Sequence, residues 1–316
     1  MNPGGSMLVL GEVRTGLIQN STALSKVDAA RLLDLVLGER VRVSERPIHH
    51  ATSPERLVGV DCPLSARSRA SVRGVGTVLT RAAVTEGHVL QGSAYTRIRP
   101  GTGRRLPWAH YLGHPGQVET IGRGNDLDLA QGFLGADRTP GTLDLGAICD
   151  RAMDDVQRSP SLDRRITLRT APTSLRWAAV EGADALQFTV VSPTLRTLRV
   201  DVPAERLDAT VTLCEDLALH DWLLTTLLDL IDRNLTSAAA DARSVRRLRP
   251  AIDHLLHLWM PAARVDEELL PVWERMERRP GFTRQWNACV SRIRDQVTVN
   301  AIAVLSGDER QRGMTG

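Results

Sequence analysis

The residues best suited to chemistry are concentrated in one loop. Between Arg104 and Gly116 the sequence RRLPWAHYLGHPG brings together two arginines, two histidines, a tryptophan and a tyrosine. Loops usually carry small polar residues, so this mixture of aromatic and titratable side chains is unusual. Histidine suits acid–base chemistry near neutral pH, and arginine suits the binding of anions. The candidate ligand or partner site therefore comprises Arg104, Arg105, Trp108, His110, Tyr111 and His114.

The same loop also has a structural interpretation, which we favour. Pro107, Trp108 and Tyr111 are of the residue types that fasten a loop to a seam between domains, because aromatic rings bury a large apolar area. If the loop is a seam, its histidines and arginines do no chemistry. The sequence leaves both interpretations open.

A weaker candidate is a metal site on two predicted helices. Asp216 and His220, and likewise Asp253 and His257, are spaced so that a carboxylate and an imidazole lie one helical turn apart. Carboxylate and histidine sites in helical bundles usually use a different spacing, Glu-x-x-His, with further glutamates. His220 also falls within an apolar stripe of its helix. We therefore expect a buried structural histidine and no metal.

Signatures of phosphate binding and of nucleophilic catalysis are weak or absent. Two Gly-x-Gly pairs, at Gly74–Gly76 and Gly101–Gly103, neither open a predicted helix nor carry the rest of a P-loop or dinucleotide motif. No Gly-x-Ser-x-Gly and no His-Glu-x-x-His occurs in the chain. We expect no cofactor, and the assignment as an enzyme stays uncertain, leaning towards no.

The distribution of glycine divides the chain into two differently built halves. Of the 25 glycines, 21 lie in the first 182 residues, and none lies between Ala183 and Pro280. Glycine destabilises helix interiors, so its absence favours helices in the second half. We predict an α+β fold with a β-rich N-terminal half that has a few helices, followed by an all-helical C-terminal bundle.

Strand signals dominate the first half. Two runs rich in Val, Thr and Leu flank Glu86-Gly87 and predict a hairpin over Val75 to Ile98. We expect Arg81, Arg97 and Arg99 in these runs to lie on the solvent-exposed face of the sheet. Four short apolar runs between Ile166 and Val202, separated by turn residues, predict a β-meander.

The second half contains four tryptophans in four predicted helical segments. Trp222, Trp259, Trp273 and Trp286 are spaced as the large core residues of a small bundle would be. We predict a flexible leader at 1–6, an α+β domain with hairpins and a meander at 7–202, a helical domain at 203–305 and a flexible tail at 306–316.

Composition limits the classes of function. The four cysteines are at least 65 residues apart, without zinc or redox spacing, so we expect buried free thiols and a reducing, cytoplasmic setting. All but one of the 40 basic residues are arginine, which suggests a codon bias and is only weak evidence for nucleic-acid binding. The longest apolar run is too short to span a membrane.

Six stretches carry a resemblance to a known family: GEVRTGL (11–17), RVSERPI (42–48), GVDCPL (59–64), RLPWAHYL (105–112), LCEDLALHDWLLTTL (213–227) and RPGFTRQW (279–286). Together they resemble an uncharacterised protein family of Streptomyces and related actinobacteria. The resemblance covers nearly the whole chain, but brings no activity and no site residues. It implies a cytosolic actinobacterial protein encoded near a P-loop protein and a methyltransferase, and hence one component of a multi-protein system.

Three functions are compatible with these observations. The leading hypothesis is a non-catalytic interaction or scaffold component that binds partner proteins, among them the P-loop protein encoded nearby. The alternative is an orphan enzyme or small-ligand binder with its site in the 104–116 loop. The second alternative is a nucleic-acid binder that acts through arginine, although the arginine-rich composition is only weak evidence for a nucleic-acid partner. The oligomeric state is open.

Overall fold

The protein is a mixed α/β structure built on a large sheet. The computed structural model describes residues 7–135, 140–165, 168, 170–183, 185–235, 253–295 and 298. The strands are β1 (Leu8–Leu17), β2 (Arg42–Ser44), β3 (His50–Thr52), β4 (Arg56–Leu64), β5 (Val72–Thr85), β6 (Val89–Pro100), β7 (Gln117–Ile121), β8 (Thr173–Glu181), β9 (Leu186–Val190) and β10 (Leu195–Val202). The helices are α1 (Lys26–Leu32), α2 (Trp108–Leu112), α3 (Asp126–Leu134), α4 (Leu145–Gln157), α5 (Thr210–Leu235), α6 (253–258), α7 (Leu270–Arg278) and α8 (282–295).

The ten strands of the described residues join in one mixed sheet. Its order is β2-β3-β5-β7-β6-β1-β8-β10-β9, and β4 also pairs with β5. The predicted β-meander is wrong, because β8 pairs with β10 in parallel and β9 lies outside them at the margin. Local turn signals locate strand ends, but they do not determine which strands pair. The first of the four runs, 166–169, falls largely outside the described residues.

The predicted hairpin is confirmed as β5 and β6. Its turn residues Glu86 and Gly87 both have positive φ, 47° and 67°, as a type I′ turn requires. The two strands pair directly from the turn, where Thr85 lies opposite Val89, as far as Leu79 opposite Tyr95, and then separate. β7 fills the resulting fork, antiparallel to β5 and parallel to β6.

Helices cover the sheet on both faces. On one face α3 and α4 enclose an apolar core with β1, β6 and β8, which includes Leu10, Ile98 and Ile148. On the other face the first turns of α5 contact the sheet, where Gln91 donates a hydrogen bond to the Glu215 carbonyl. Gly11 of β1 is required there, because a Cβ on it would lie 2.2 Å from the Trp177 ring.

Two expectations about charged and sulfur-containing side chains have opposite outcomes. The four cysteines are free, and three of them are buried, as predicted. The exposed position predicted for Arg81 is wrong, because its side chain is only 11% exposed. β5 is buried along almost its whole length, so the side chain of Arg81 has little access to solvent.

The all-helical C-terminal bundle is not confirmed, since helices are interspersed with strands along the chain. One compact unit consists of residues 1–219 and 262–275, and contains the sheet; the other consists of 220–261 and 276–316. In the second unit Trp222 and Trp286 are buried, and Trp286 stacks on Trp259 at 4.1 Å between ring centroids. The predicted leader, tail and most of the segment from Ser237 to Trp259 lie outside the described residues.

Among the described residues, no helix combines the length and the apolar character needed to cross a bilayer. The predicted domain boundary at 203 stays a prediction.

Candidate functional site

The fork between β5 and β6 holds the 104–116 loop in place. The loop leaves the end of β6, forms α2, and returns through Gly116 into β7. Gly116 donates its N–H to the Thr77 hydroxyl at 2.9 Å, and its carbonyl accepts hydrogen bonds from the Arg97 N–H and the Thr96 hydroxyl. The C-terminal end of the loop is therefore fastened to the sheet, whereas most of its other residues are exposed.

Tyr111 is the residue that anchors this loop. Its side chain is 2% exposed, and its hydroxyl accepts a hydrogen bond from the Leu106 N–H at 2.9 Å. The loop packs on strands of the same compact unit. The ring that we expected to form a seam between domains thus anchors the loop within one unit.

Trp108 lies over β4 and is 38% exposed. A Cβ at Gly59 would come within 3.2 Å of its ring, so glycine at this position makes room for the indole. The ring meets Tyr111 edge to face at 5.7 Å, and the Arg105 guanidinium lies 5.7 Å from the Trp108 ring centroid. This arrangement fixes the indole while leaving over a third of it accessible.

An aspartate joins two arginines beside the tryptophan. Asp61 accepts a hydrogen bond from Nε of Arg73 at 2.6 Å and another from Nε of Arg105 at 2.9 Å. The bond from Arg73, and then that from Arg105, lowers the pKa of Asp61 against the opposing effect of burial. Arg105 thus has an ion-pair partner within the protein, whereas Arg104 has no hydrogen-bond or ion-pair partner among the described residues.

His110 of the loop contacts a carboxylate, an arrangement that is also found in acid–base catalysis. Its Nε2 lies 2.6 Å from Oε1 of Glu119, and its ring is 4.8 Å from that of His114. His114 donates from Nδ1 to the His110 carbonyl at 2.9 Å. A carboxylate-bound imidazole is able to transfer protons, but a catalytic role also needs a substrate held within hydrogen-bond reach.

Apolar side chains continue the exposed surface around Trp108. Leu112 of α2 is 58% exposed and Leu57 of β4 is 45% exposed. Leu57, Gly59 and Asp61 alternate along β4 and so lie on one face of that strand. Together with Arg104, the residues Trp108, Leu112 and Leu57 form what we call the α2 patch.

The clearest cavity lies elsewhere, beyond the ends of β6 and β7. Its volume is about 570 Å³, and none of the residues 104–116 lines it. The lining includes Arg99 and Arg123, but also Asp126 and Asp128, so it carries charges of both signs. Asp128 is already bound to the N–H and hydroxyl of Ser68.

The four residues of the metal hypothesis do not share one environment. Asp216 and His220 are buried on α5, whereas Asp253 and His257 are exposed. Asp216 accepts hydrogen bonds from the Ala262 N–H and from Nε of Arg264. Within the described part of the chain, no group of three or more His, Cys, Asp or Glu side chains is arranged to hold a metal ion.

A buried ionic network near β5 was not anticipated from the sequence. Arg81 binds Glu215 of α5 through two hydrogen bonds of 2.8 Å and also reaches Glu55, which accepts a hydrogen bond from the Tyr95 hydroxyl. Burial alone would raise the pKa of Glu215, but the charge and hydrogen bonds of Arg81 lower it. The one sequence signal that could have indicated such a pair is the position of Arg81 within a long strand whose residues are almost all buried.

His50 forms the second part of the network. Arg264 can only donate, and its Nη1 lies 2.7 Å from Nε2 of His50, so the imidazole accepts and is neutral. The other ring nitrogen lies 2.9 Å from the Thr85 hydroxyl. Burial, followed by the charges of Arg264 and Arg81, lowers the pKa of His50 well below its ordinary value.

Comparison of the chain with protein-family models, with curated proteins and with solved structures gave no match.

Proposed function

We propose that this protein is a non-catalytic interaction component that binds a partner protein through the α2 patch. The observation that carries the proposal is the accessible Trp108, which is fixed by Tyr111, Arg105 and Gly59 and yet is 38% exposed. A rigid, partly exposed tryptophan loses little conformational freedom on binding. Tryptophan and arginine are the residue types that most often dominate interface energetics.

The chemistry of the patch defines the partner surface that fits it. Trp108, Leu112 and Leu57 present an apolar centre, and Arg104 supplies a cation that pairs with none of the described residues. The complementary surface is an apolar pocket with carboxylates at its rim. The resemblance to the actinobacterial family adds the P-loop protein as the partner to test first, and the cytoplasm as the location.

The experiment is co-purification from the native host with three tagged variants. We expect Trp108→Ala and Leu112→Asp to lose a partner that the unaltered protein retains. Leu37→Asp is the matched control, because Leu37 is a fully exposed leucine outside the patch. Retention of the partner by both patch variants would refute the proposal, as would its loss from the control.

An enzyme or small-ligand binder is the second candidate, because of the contact between His110 and Glu119. Against it, neither the cavity at Arg99 and Arg123 nor the smaller one at Arg97 and Asp208 is lined by His110. His110→Gln separates the two functions. Unchanged partner binding with loss of a measurable turnover would favour the enzyme.

Nucleic-acid binding has less support. Arg81, Arg97 and Arg105 all form ion pairs with carboxylates of the protein itself. Such arginines contribute little to the release of counterions from phosphates. Salt-dependent binding of DNA or RNA that is lost on Arg99→Ala would revive this candidate.

The helical C-terminal bundle belongs to the same proposal as a second module. Its support is the lack of glycine between Ala183 and Pro280 and the stacked pair Trp259 and Trp286. A fragment from Ala204 to Val304 should give a helical circular dichroism spectrum. A spectrum dominated by strand or disorder would contradict an autonomous bundle.

A further inference from the structure

The described sheet has three edge strands, β2, β4 and β9, and β9 differs from the other two. β2 has only three residues, one of them arginine. β4 contains Arg56, Asp61 and Pro63, and Trp108 lies over it. Charges, proline, shortness and covering loops are the means by which proteins prevent pairing at sheet margins. β9 and the following residue read LQFTVV, with no charge, proline or glycine.

The backbone of β9 offers hydrogen-bonding groups on its outer side. The Val191 N–H donates to the Leu195 carbonyl, and the Ala185 carbonyl accepts from the Asp201 N–H. The backbone N–H and C=O groups of the odd-numbered residues therefore point towards β10. In an antiparallel strand the backbone groups of alternate residues point to opposite sides. The N–H and C=O of Leu186 and Val190 consequently point away from β10, where no other described strand pairs with them.

We propose that β9 pairs antiparallel with β9 of a second copy of this chain, about a two-fold axis at Phe188. In this register Leu186 of one copy lies opposite Val190 of the other. Both residues direct their backbone groups outwards, so each N–H meets a carbonyl of the second copy. The two sheets then become one continuous sheet, which is a closed symmetric dimer contact.

The side chains of β9 fit this register better than they fit a charged peptide. Leu186 meets Val190, Gln187 meets Thr189, and Phe188 meets its own copy. Apolar and aromatic pairs across strands stabilise a sheet, and no like charges come together. Val190 is 60% exposed and Val191 is 38% exposed, so the apolar surface is available before association.

Sedimentation velocity of the full chain tests the proposal. A contact of one strand pair belongs to the small, weak class of interfaces, so the series should extend to about 0.5 mM. We expect a concentration-dependent dimer, with dimerisation weakened at least about tenfold by Val190→Lys, since an edge lysine blocks strand pairing. The matched control is Val43→Lys, at an exposed valine of β2, which should dimerise like the unaltered chain.

Val190→Pro tests the backbone contribution. The N–H that proline lacks points away from β10, so the internal ladder keeps its hydrogen bonds and the melting temperature should hardly change. We expect a folded monomer. The proposal is overturned if the unaltered chain stays monomeric over the whole range, if both Val190 variants dimerise normally, or if Val43→Lys abolishes the dimer equally.

Discussion

The protein has two clusters of titratable side chains that contain similar residue types. One is the buried network at β5, and the other lies at the surface beside the α2 patch. In the network, Arg81 and Glu215 are 11% and 7% exposed and satisfy one another. Near the patch, Asp61 holds Arg73 and Arg105 at the surface, where both arginines are about half exposed. Burial, and not residue type, separates an ionic group that stabilises the fold from one that remains accessible to a partner.

The largest contrast should come from removing a buried charge. We expect Glu215→Gln to reduce the free energy of unfolding by about 3 kcal/mol, because Arg81 would lose its buried counter-charge and keep only the contact with Glu55 at 3.2 Å. Chemical denaturation measures this loss. A change below about 1 kcal/mol would show that the network contributes no more than a surface ion pair.

The second largest difference in stability should separate the two aromatic residues of the loop, the buried Tyr111 and the accessible Trp108. Tyr111→Ala should cost about 3 kcal/mol, because a buried ring is lost and the Leu106 N–H loses its acceptor. Trp108→Ala should cost about 1 kcal/mol, since much of that ring is already exposed. Thermal and chemical unfolding of both variants measures the two losses in the free energy of unfolding. Equal losses would mean that Trp108 is a structural anchor.

The pH dependence of stability reports on His50. The unfolded chain binds a proton at this residue below about pH 6.5, whereas the native protein keeps it neutral. Stability should therefore fall as the pH decreases, and His50 should account for about 1 kcal/mol between pH 6.5 and 5.5. His50→Gln should flatten this part of the profile. His88, whose pKa burial also lowers despite Glu86, should contribute in the same direction but less.

The smallest effect is expected at the exposed cluster. Asp61→Asn removes the charge shared by Arg73 and Arg105, yet we expect no measurable change in melting temperature, because water screens exposed ion pairs. Partner binding is the informative readout. A stability loss like that of Glu215→Gln would remove the distinction between the two clusters.

Local sequence signals predicted local structure well. Glu86-Gly87 predicted the turn of the hairpin, and Ser25 caps α1 by accepting from the Asp28 N–H. These features depend on a few adjacent residues, so the sequence specifies them directly.

Long-range arrangements were not predictable in the same way. Arg81 and Glu215 are separated by 134 residues, and the sequence around each of them does not indicate the other as its partner. The parallel pairing of β8 with β10 likewise depends on the sheet and not on the turns between the strands. For the candidate site, the loop and its residue types were identifiable. The roles of Tyr111 as anchor and Trp108 as accessible ring required the sheet beneath them.

The fork between β5 and β6 has a consequence for the order of folding. β7 has both of its neighbours only where the two hairpin strands have separated, so it docks into a position that the hairpin must first create. The hairpin forms from contacts close in sequence, whereas β7 closes a longer loop from the end of β6, which is slower. The backbone amides of β7 should therefore acquire protection from hydrogen exchange after those next to the Glu86-Gly87 turn.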